Sequence, residues 1–127
     1  MKLLINTESL KPPITGIGTY TQNLLHQFVE SRSIEAIECF SGHHFTSATQ
    51  ALQQCSVQTQ PDSGTAAPVK GLLHGLLRRS TLAYRARETL RNSLLRLKSG
   101  QLKGFVYHEP NFILRAHKGP CVATVHD

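Results

Sequence analysis

The order of elements near the start of the chain constrains the fold more than any other feature. Residues 2–6 form an apolar run, and residues 7–18 follow with two prolines and two glycines, which is typical of a loop. From Thr19 onward, apolar side chains recur at helical spacing up to about residues 31–33, and residues 34–40 predict a second strand. This βαβ order predicts an α/β fold with a Rossmann-like parallel sheet flanked by helices.

The remaining residues add further elements to the same sheet. The pattern predicts a short helix over residues 47–54, a strand over 56–59, a mobile connection over 60–68, a helix over 71–98 that breaks near Ser80, and strands over 103–107 and 120–126. The long helix carries an apolar stripe at helical spacing, which consists of Ala83, Ala86, Leu90, Leu94 and Leu97.

The size and composition of the chain fit a single domain. It has 127 residues, and 39% of them are hydrophobic, which is enough for a real core. The first apolar run is far too short for a signal peptide or a membrane span, and no other stretch approaches that length. Three cysteines at wide spacing favour reduced thiols over disulfides or a zinc knuckle. We therefore predict a cytoplasmic protein that at most lies peripherally on the inner face of the plasma membrane.

The segment Pro13-Ile14-Thr15-Gly16-Ile17-Gly18-Thr19-Tyr20 joins the first strand to the first helix. Its two glycines allow close approach of an anion, and the free amides at a helix start attract a phosphate or diphosphate. No Lys-Ser or Lys-Thr pair follows, which excludes a P-loop, and the third glycine of the dinucleotide fingerprint is missing, which disfavours NAD. A plain turn between strand and helix is the alternative.

Two polar clusters follow later strands. They are Tyr107-His108-Glu109-Pro110-Asn111 and Thr124-Val125-His126-Asp127. Carboxyl ends of parallel strands share one edge of a sheet, so we expect both clusters near the glycine-containing segment. His126 suits a role as a hydrogen-bond donor or proton carrier near neutral pH. Capped turns are the alternative for each cluster taken singly.

Together these motifs resemble the N-terminal domain of group 1 (family 4) glycosyltransferases, nearest to the mannosyltransferase-like enzymes of bacterial surface-polysaccharide assembly. The resemblance is carried by Leu4-Ile5-Asn6-Thr7, Gly16-Ile17-Gly18-Thr19-Tyr20-Thr21, Asn23-Leu24-Leu25, His108-Glu109-Pro110-Asn111 and Val122-Ala123-Thr124-Val125-His126-Asp127. It is strong at both ends of the chain and weak from about residue 41 to residue 102.

The resemblance implies a GT-B enzyme, in which two Rossmann-like domains enclose an active site between them. It implies catalytic positions at His126 and Asp127, with His126 beside the transferring sugar or the acceptor hydroxyl. It implies a donor diphosphate segment of Gly16, Ile17, Gly18 and Thr19, and a cleft edge that includes Tyr20, His108, Glu109 and Asn111. The substrates implied are a nucleotide sugar and a lipid-linked or saccharide acceptor, with no metal or other cofactor.

The chain departs from that family pattern in two respects. Thr19 stands where many relatives carry an arginine that could meet phosphate. The C-terminal domain, with the paired glutamates that hold the donor, is absent, as is the last part of the N-terminal domain. Residues 1–127 are thus predicted to be a partial GT-B N-terminal domain that does not transfer sugar alone, marginally stable because its last strand lacks a covering helix.

Residues 69–98 concentrate the positive charge of the chain. They hold eight basic residues and only one acidic residue, Glu88. A basic helix with an apolar stripe can lie on an anionic membrane, and the candidate contacts are Arg78, Arg79, Arg85, Arg87, Arg91, Arg96 and Lys98. The alternative is an ordinary helix whose leucines cover the sheet. Nucleic acid is disfavoured because Tyr84 is the only aromatic residue among these charges.

The histidine pair at positions 43 and 44 and the last two residues of the chain give two further predictions. The pair His43-His44 has no cysteine or acid at ligand spacing nearby, so we predict no metal site. A chain that stops after the polar pair His126-Asp127 could also be a remnant without function, which is a third alternative to the enzyme and the membrane-binding module.

Overall fold

The computed structural model describes residues 1–57, 81–115 and 117–126. The elements are β1 (Lys2–Asn6), a 3-10 turn (Glu8–Leu10), α1 (Gly16–Glu30), β2 (Ala36–Phe40), β3 (Phe45–Ser47), α2 (Ala48–Val57), α3 (Thr81–Ser99), β4 (Phe105–Glu109) and β5 (Cys121–Ala123). The predicted connection over residues 60–68 and the predicted break near Ser80 lie outside the described residues.

The strands form one five-stranded sheet in the order β3-β2-β1-β4-β5. β1 pairs in parallel with β2 and with β4, and β4 pairs in parallel with β5. Only β3, joined to β2 by a tight turn at Gly42, runs antiparallel within the described sheet. The fold is therefore α/β with a mostly parallel, Rossmann-like sheet, which confirms the fold class predicted from the sequence.

Both faces of β1 are buried, and successive side chains of this strand belong to two different layers of the core. Leu3 and Ile5 face α1 and α2, where they meet Leu25 of α1 in one apolar cluster. Leu4 faces the opposite side, where it packs with Leu95 of α3. A strand that is apolar on successive residues needs helices on both sides of the sheet, and the described helices provide them.

Several predicted boundaries were wrong. The first helix begins at Gly16 and not at Thr19, because Thr15 in an extended conformation already serves as its N-cap. Strand β3 was not predicted, and Ser56 belongs to α2, where a strand over 56–59 was expected. The strand predicted over 103–107 lies two residues later, since Gly104 with a φ of 84° turns the chain into β4.

Helix α3 does not cover the sheet with its predicted apolar stripe. Leu90 and Leu97 of that stripe are 55% and 77% exposed, whereas Leu95 and Arg91 are buried. The alternative in which the stripe leucines cover the sheet is therefore wrong for these two residues. Within the described residues, no helix is both long and apolar enough to cross a membrane.

Candidate functional site

A buried polar network lies at the carboxyl-terminal edge of the sheet, where β1 and β4 end. Glu109 is only 2% exposed, and its Oε2 accepts hydrogen bonds from Asn6 Nδ2 at 2.8 Å and from the Tyr107 hydroxyl at 2.6 Å. The backbone N–H of Asn111 donates to the other carboxylate oxygen at 3.3 Å. Asn6 Oδ1 in turn accepts from the backbone N–H of Glu8 at 3.0 Å. The network fixes the loops that follow two neighbouring strands.

The environment of Glu109 disfavours its charged form. Burial raises the pKa of the Glu109 carboxyl above its ordinary value, although the hydrogen bonds from Tyr107, Asn6 and the Asn111 amide partly oppose this effect. Burial and the neighbouring carboxylate raise the pKa of the Tyr107 phenol as well, so this hydroxyl remains a donor at neutral pH. The main role of the Glu109 side chain is therefore to accept hydrogen bonds, and its three donors hold the loops at this edge of the sheet.

The predicted cleft residues Tyr20, His108 and His126 lie together around Thr124, at the ends of β4 and β5. His126 Nε2 lies 2.9 Å from the Pro110 carbonyl oxygen, and the His126 ring contacts the Tyr20 ring edge-on, with centroids 4.9 Å apart. The Tyr20 hydroxyl is 3.4 Å from Thr124 Oγ1, which is 3.0 Å from His108 Nε2. Burial lowers the pKa of His108, so this ring is neutral at physiological pH.

The predicted diphosphate segment forms the first turn of α1. The first α-helical hydrogen bond here runs from the Thr19 N–H to the Thr15 carbonyl at 2.9 Å, and the Thr15 side chain makes no capping hydrogen bond. The amides of Gly16, Ile17 and Gly18 precede that bond and are the ones that a helix leaves for an external partner. Gly18 packs tightly, because an added Cβ would lie 2.5 Å from the Ser9 carbonyl oxygen.

A cleft of about 250 Å³ joins the helix start to the polar network. Its lining consists of Asn6, Glu8, Ser9, Thr15, Ile17, Glu109 and Asn111. The structure thus brings the start of α1 and the loop after β4 to one place. Asp127, the second predicted catalytic residue, lies outside the described residues.

Four charged side chains form an ion-pair network that the sequence did not predict. Arg91 contacts Glu8 and, at 2.9 Å, Glu88, while Arg115 reaches Glu8 at 3.0 Å and Glu88 at 2.7 Å. Each arginine thus bridges both carboxylates, and together they tie α3 to the segments after β1 and β4. The one available signal was that Glu88 is the only acid among the basic residues of α3.

This network changes the role of Arg91. The sequence placed Arg91 among the membrane contacts, but it is 5% exposed and neutralised by Glu8 and Glu88, so it faces the protein interior. Burial alone would raise the pKa of Glu88, but the hydrogen bonds and charges of Arg115 and Arg91 outweigh it and lower that pKa. Arg91 is therefore a structural residue.

The other predicted membrane contacts are placed as follows. Arg85, Arg87 and Arg96 are exposed on α3. Lys98 is half-buried, with its ammonium 4.7 Å from the centre of the Phe45 ring. Arg78 and Arg79 lie outside the described residues.

Among the described residues, the histidine pair at positions 43 and 44 is not part of a metal site. In these ranges, no cluster of three or more His, Cys, Asp or Glu could hold a metal ion. His44 instead contacts the Ser41 hydroxyl at 3.1 Å.

Comparison with known proteins identifies a distant homologue. The chain is 32% identical over all 127 residues to O-antigen chain mannosyltransferase B from Escherichia coli. It covers 32% of that protein, so it spans about a third of the length of this relative. No family model matches the chain, and no solved structure matches it. The homology supports a relationship to glycosyltransferases.

Proposed function

We propose that the chain is the acceptor-side part of a GT-B glycosyltransferase, which transfers a hexose such as mannose from a nucleotide sugar to a membrane-associated acceptor in surface-polysaccharide synthesis. The observation that carries the proposal is the similarity over the whole chain to a mannosyltransferase. The cleft between the start of α1 and the loop after β4 supports it, because α/β sheets bind ligands at the carboxyl ends of their strands.

The proposed roles follow from the chemistry of the groups at this edge. The amides of Gly16, Ile17 and Gly18 stabilise the departing diphosphate of the donor, as dipoles that need no reorganisation during the reaction. In this proposal His126 is the residue beside the transferring sugar or the acceptor hydroxyl. Catalysis then consists mainly of positioning and stabilisation of the leaving group.

The remaining polar residues shape the acceptor side of the cleft. Glu109 is too enclosed by Asn6 and Tyr107 to act as a free base, so its role is to hold the Asn111 loop in place. Tyr20 and His108 support the end of β5 through Thr124. Donor binding in such enzymes also involves paired glutamates of a second domain.

The mass of the native polypeptide in its source cell tests the proposal first. An antibody against residues 60–100 captures the native product, whose mass is compared with the 14.1 kDa of this chain. A much heavier product that contains a second Rossmann-like domain supports the proposal. A product of 14.1 kDa contradicts it and favours a remnant or a binding module.

The heavier product then allows a direct assay of sugar transfer. Purified native enzyme is incubated with a panel of nucleotide sugars and a lipid-linked acceptor. We expect His126→Ala to lower kcat/KM by about 100-fold, in the range that a positioned catalytic group contributes. Tyr84→Phe, at a 62% exposed position on α3, is the matched control and leaves the rate unchanged. Equal rates for both variants count against the assigned site.

A second candidate function, binding to an anionic membrane surface, is favoured by the exposed face of α3. Leu82, Leu90 and Leu97 are 76%, 55% and 77% exposed on a helix that also exposes Arg85, Arg87 and Arg96. Apolar side chains flanked by arginines suit the boundary between acyl chains and acidic headgroups. Under this second proposal, the protein binds peripherally to the inner face of the plasma membrane, close to a lipid-linked acceptor.

Co-sedimentation with vesicles tests this second function. We expect binding to vesicles that contain phosphatidylglycerol, weaker binding to pure phosphatidylcholine, and loss of binding as salt rises. The double variant Leu90→Ser/Leu97→Ser is expected to bind several-fold more weakly, whereas Val29→Ser, at a 47% exposed position on α1, is not. Equal binding by all three proteins, or preferential binding to duplex DNA, excludes the membrane face.

A further inference from the structure

The imidazole of His126 is held on two sides by groups from different elements. Pro110, which follows β4 and is fully buried, places its carbonyl oxygen 2.9 Å from His126 Nε2. Tyr20, on the first turns of α1, meets the same ring edge-on with an interplanar angle of 80°. The ring is therefore fixed both in its plane and against rotation out of it.

The carbonyl determines which ring nitrogen carries the proton. A carbonyl oxygen only accepts hydrogen bonds, so His126 Nε2 must be the N–H that donates to Pro110. In a neutral imidazole the other nitrogen is then an acceptor. No described residue forms a hydrogen bond with His126 Nδ1, and His126 is an exposed residue.

The Tyr20 ring is itself anchored. Its hydroxyl lies 3.4 Å from Thr124 Oγ1, and Thr124 is tied to His108 Nε2 at 3.0 Å. The His108 ring packs against Phe28 of α1, with ring centroids 6.1 Å apart. Helix α1 thus contributes both Tyr20 and the support for Thr124, which couples the orientation of His126 to the helix that carries the candidate diphosphate segment.

We propose that Tyr20 is a positioning residue that, together with the Pro110 carbonyl, holds His126 in the tautomer whose Nδ1 accepts a hydrogen bond from a sugar hydroxyl. With its N–H committed to Pro110, the neutral ring has no donor left for a diphosphate, so its ligand must carry a donor such as a hydroxyl. The identity of the ligand rests on the proposed function, but the tautomer and the role of Tyr20 do not.

Nitrogen NMR of the histidine-labelled chain tests the tautomer without any substrate. Spectra are recorded at about pH 8, where an ordinary imidazole is neutral, and His126→Ala assigns the signal among the seven histidines. We expect one protonated Nε2 and one acceptor Nδ1 for His126. Averaged shifts for the two nitrogens, or a protonated Nδ1, would overturn the proposal, and the spectrum of the wild-type chain is enough to show either.

Variants of Tyr20 test the positioning role. We expect Tyr20→Phe, which keeps the ring, to retain the single tautomer, and Tyr20→Leu to give averaged nitrogen shifts. Tyr84→Leu on α3 is the matched control and should leave the His126 signals unchanged. Retention of dispersed amide signals from β1 and β4 verifies that Tyr20→Leu is folded. A His126 spectrum of folded Tyr20→Leu identical to that of wild type overturns the role of Tyr20.

Donor analogues that each lack one hydroxyl test the ligand chemistry in the native enzyme. If Nδ1 accepts from a sugar hydroxyl, His126→Ala costs about tenfold less in kcat/KM with the analogue that lacks this hydroxyl than with the parent donor, because the contact is already lost. The same fold loss with the parent and with every analogue overturns the assignment. Failure of transfer in the wild-type enzyme instead contradicts the proposed function, and the NMR result stands apart from it.

Discussion

Glycine is required at position 18 by packing and not by backbone conformation. Gly18 is buried in the first turn of α1, where an added Cβ would lie 2.5 Å from the Ser9 carbonyl oxygen and 2.9 Å from Ile14 Cγ2. The Ser9 oxygen belongs to the backbone and cannot rotate away. The close approach of α1 to the 3-10 turn, which forms one side of the candidate cleft, therefore depends on this residue.

We expect Gly18→Ala to destabilise the chain by about 1–3 kcal/mol, as overpacking of a tight contact does. Gly16→Ala is the matched control, because no atom lies within 4 Å of its added Cβ, and we expect it to be neutral or slightly stabilising. Urea unfolding of the three proteins measures both effects. A Gly18→Ala variant as stable as Gly16→Ala would contradict the packing argument.

The buried carboxyl of Glu109 gives a pH dependence with a definite sign. Its pKa is raised in the folded state, so its protonated form favours folding, and this contribution is present below the ordinary value of 4.5 and lost as pH rises through the folded pKa. We therefore expect the stability of wild type relative to Glu109→Gln to increase as pH falls from neutral toward that value. Urea unfolding of both proteins across this range isolates Glu109, because all other groups are shared; a relative stability that stays flat or decreases contradicts the expected sign.

At the scale of elements, helix α3 is held by charge as well as by apolar contacts. Arg91 and Arg115 share the carboxylates of Glu8 and Glu88, and Leu95 supplies the main apolar anchor on the same helix. Removing one buried arginine leaves two carboxylates with half of their counter-charge, which is far more costly than loss of a surface pair. The network thus fixes how α3 lies against the segments after β1 and β4.

We expect Arg91→Leu to destabilise the chain by about 3 kcal/mol, and Arg87→Leu, at an exposed position one turn away, by no more than about 0.5 kcal/mol. Adding Glu8→Gln to Arg91→Leu should recover part of the loss, because it removes one uncompensated carboxylate. Thermal and urea unfolding of the four proteins measure these differences. An Arg91→Leu variant as stable as Arg87→Leu would show that the network contributes little.

The sequence predicts most of the helices and strands but not which of their faces are buried. Periodicity located β1, α1 and α3, because apolar runs and helical repeats are local properties of the chain. The same periodicity assigned the leucine stripe of α3 to a single apolar face, yet the buried residues are Arg91 and Leu95. Burial of an arginine depends on Glu8, which is far away in sequence, and no local pattern reports such a partner.

At the scale of the whole molecule, the sequence correctly predicts that the strand ends lie at one edge of the sheet. It does not predict the side-chain contacts between them. The parallel order places the ends of β1, β4 and β5 at one edge, as expected for a βαβ unit. The hydrogen bond from Asn6 to Glu109 and the edge-on contact between Tyr20 and His126 join residues that are about a hundred positions apart. Such pairings follow from register and side-chain geometry, which the chain pattern alone does not contain.

Exposed apolar side chains occur in β5 and in the segment that precedes it in the chain. Phe112, Ile113 and Leu114 precede this strand and are 64%, 50% and 52% exposed, and Val122 within it is 51% exposed. In the described part of the sheet, β5 pairs with β4 on one side only. Exposed apolar side chains and an open strand edge both favour association between chains.

We therefore expect the isolated chain to self-associate as its concentration rises, and its unfolding midpoint to depend on concentration. The double variant Ile113→Lys/Val122→Lys places charges among these side chains and should shift the population toward monomer, whereas Val29→Lys on α1 should not. Sedimentation velocity under reducing conditions, which exclude a disulfide through the exposed Cys121, measures the effect. A cooperative unfolding transition of the wild-type chain that is independent of concentration would contradict this prediction. It would mean that these apolar side chains remain exposed to water without driving association.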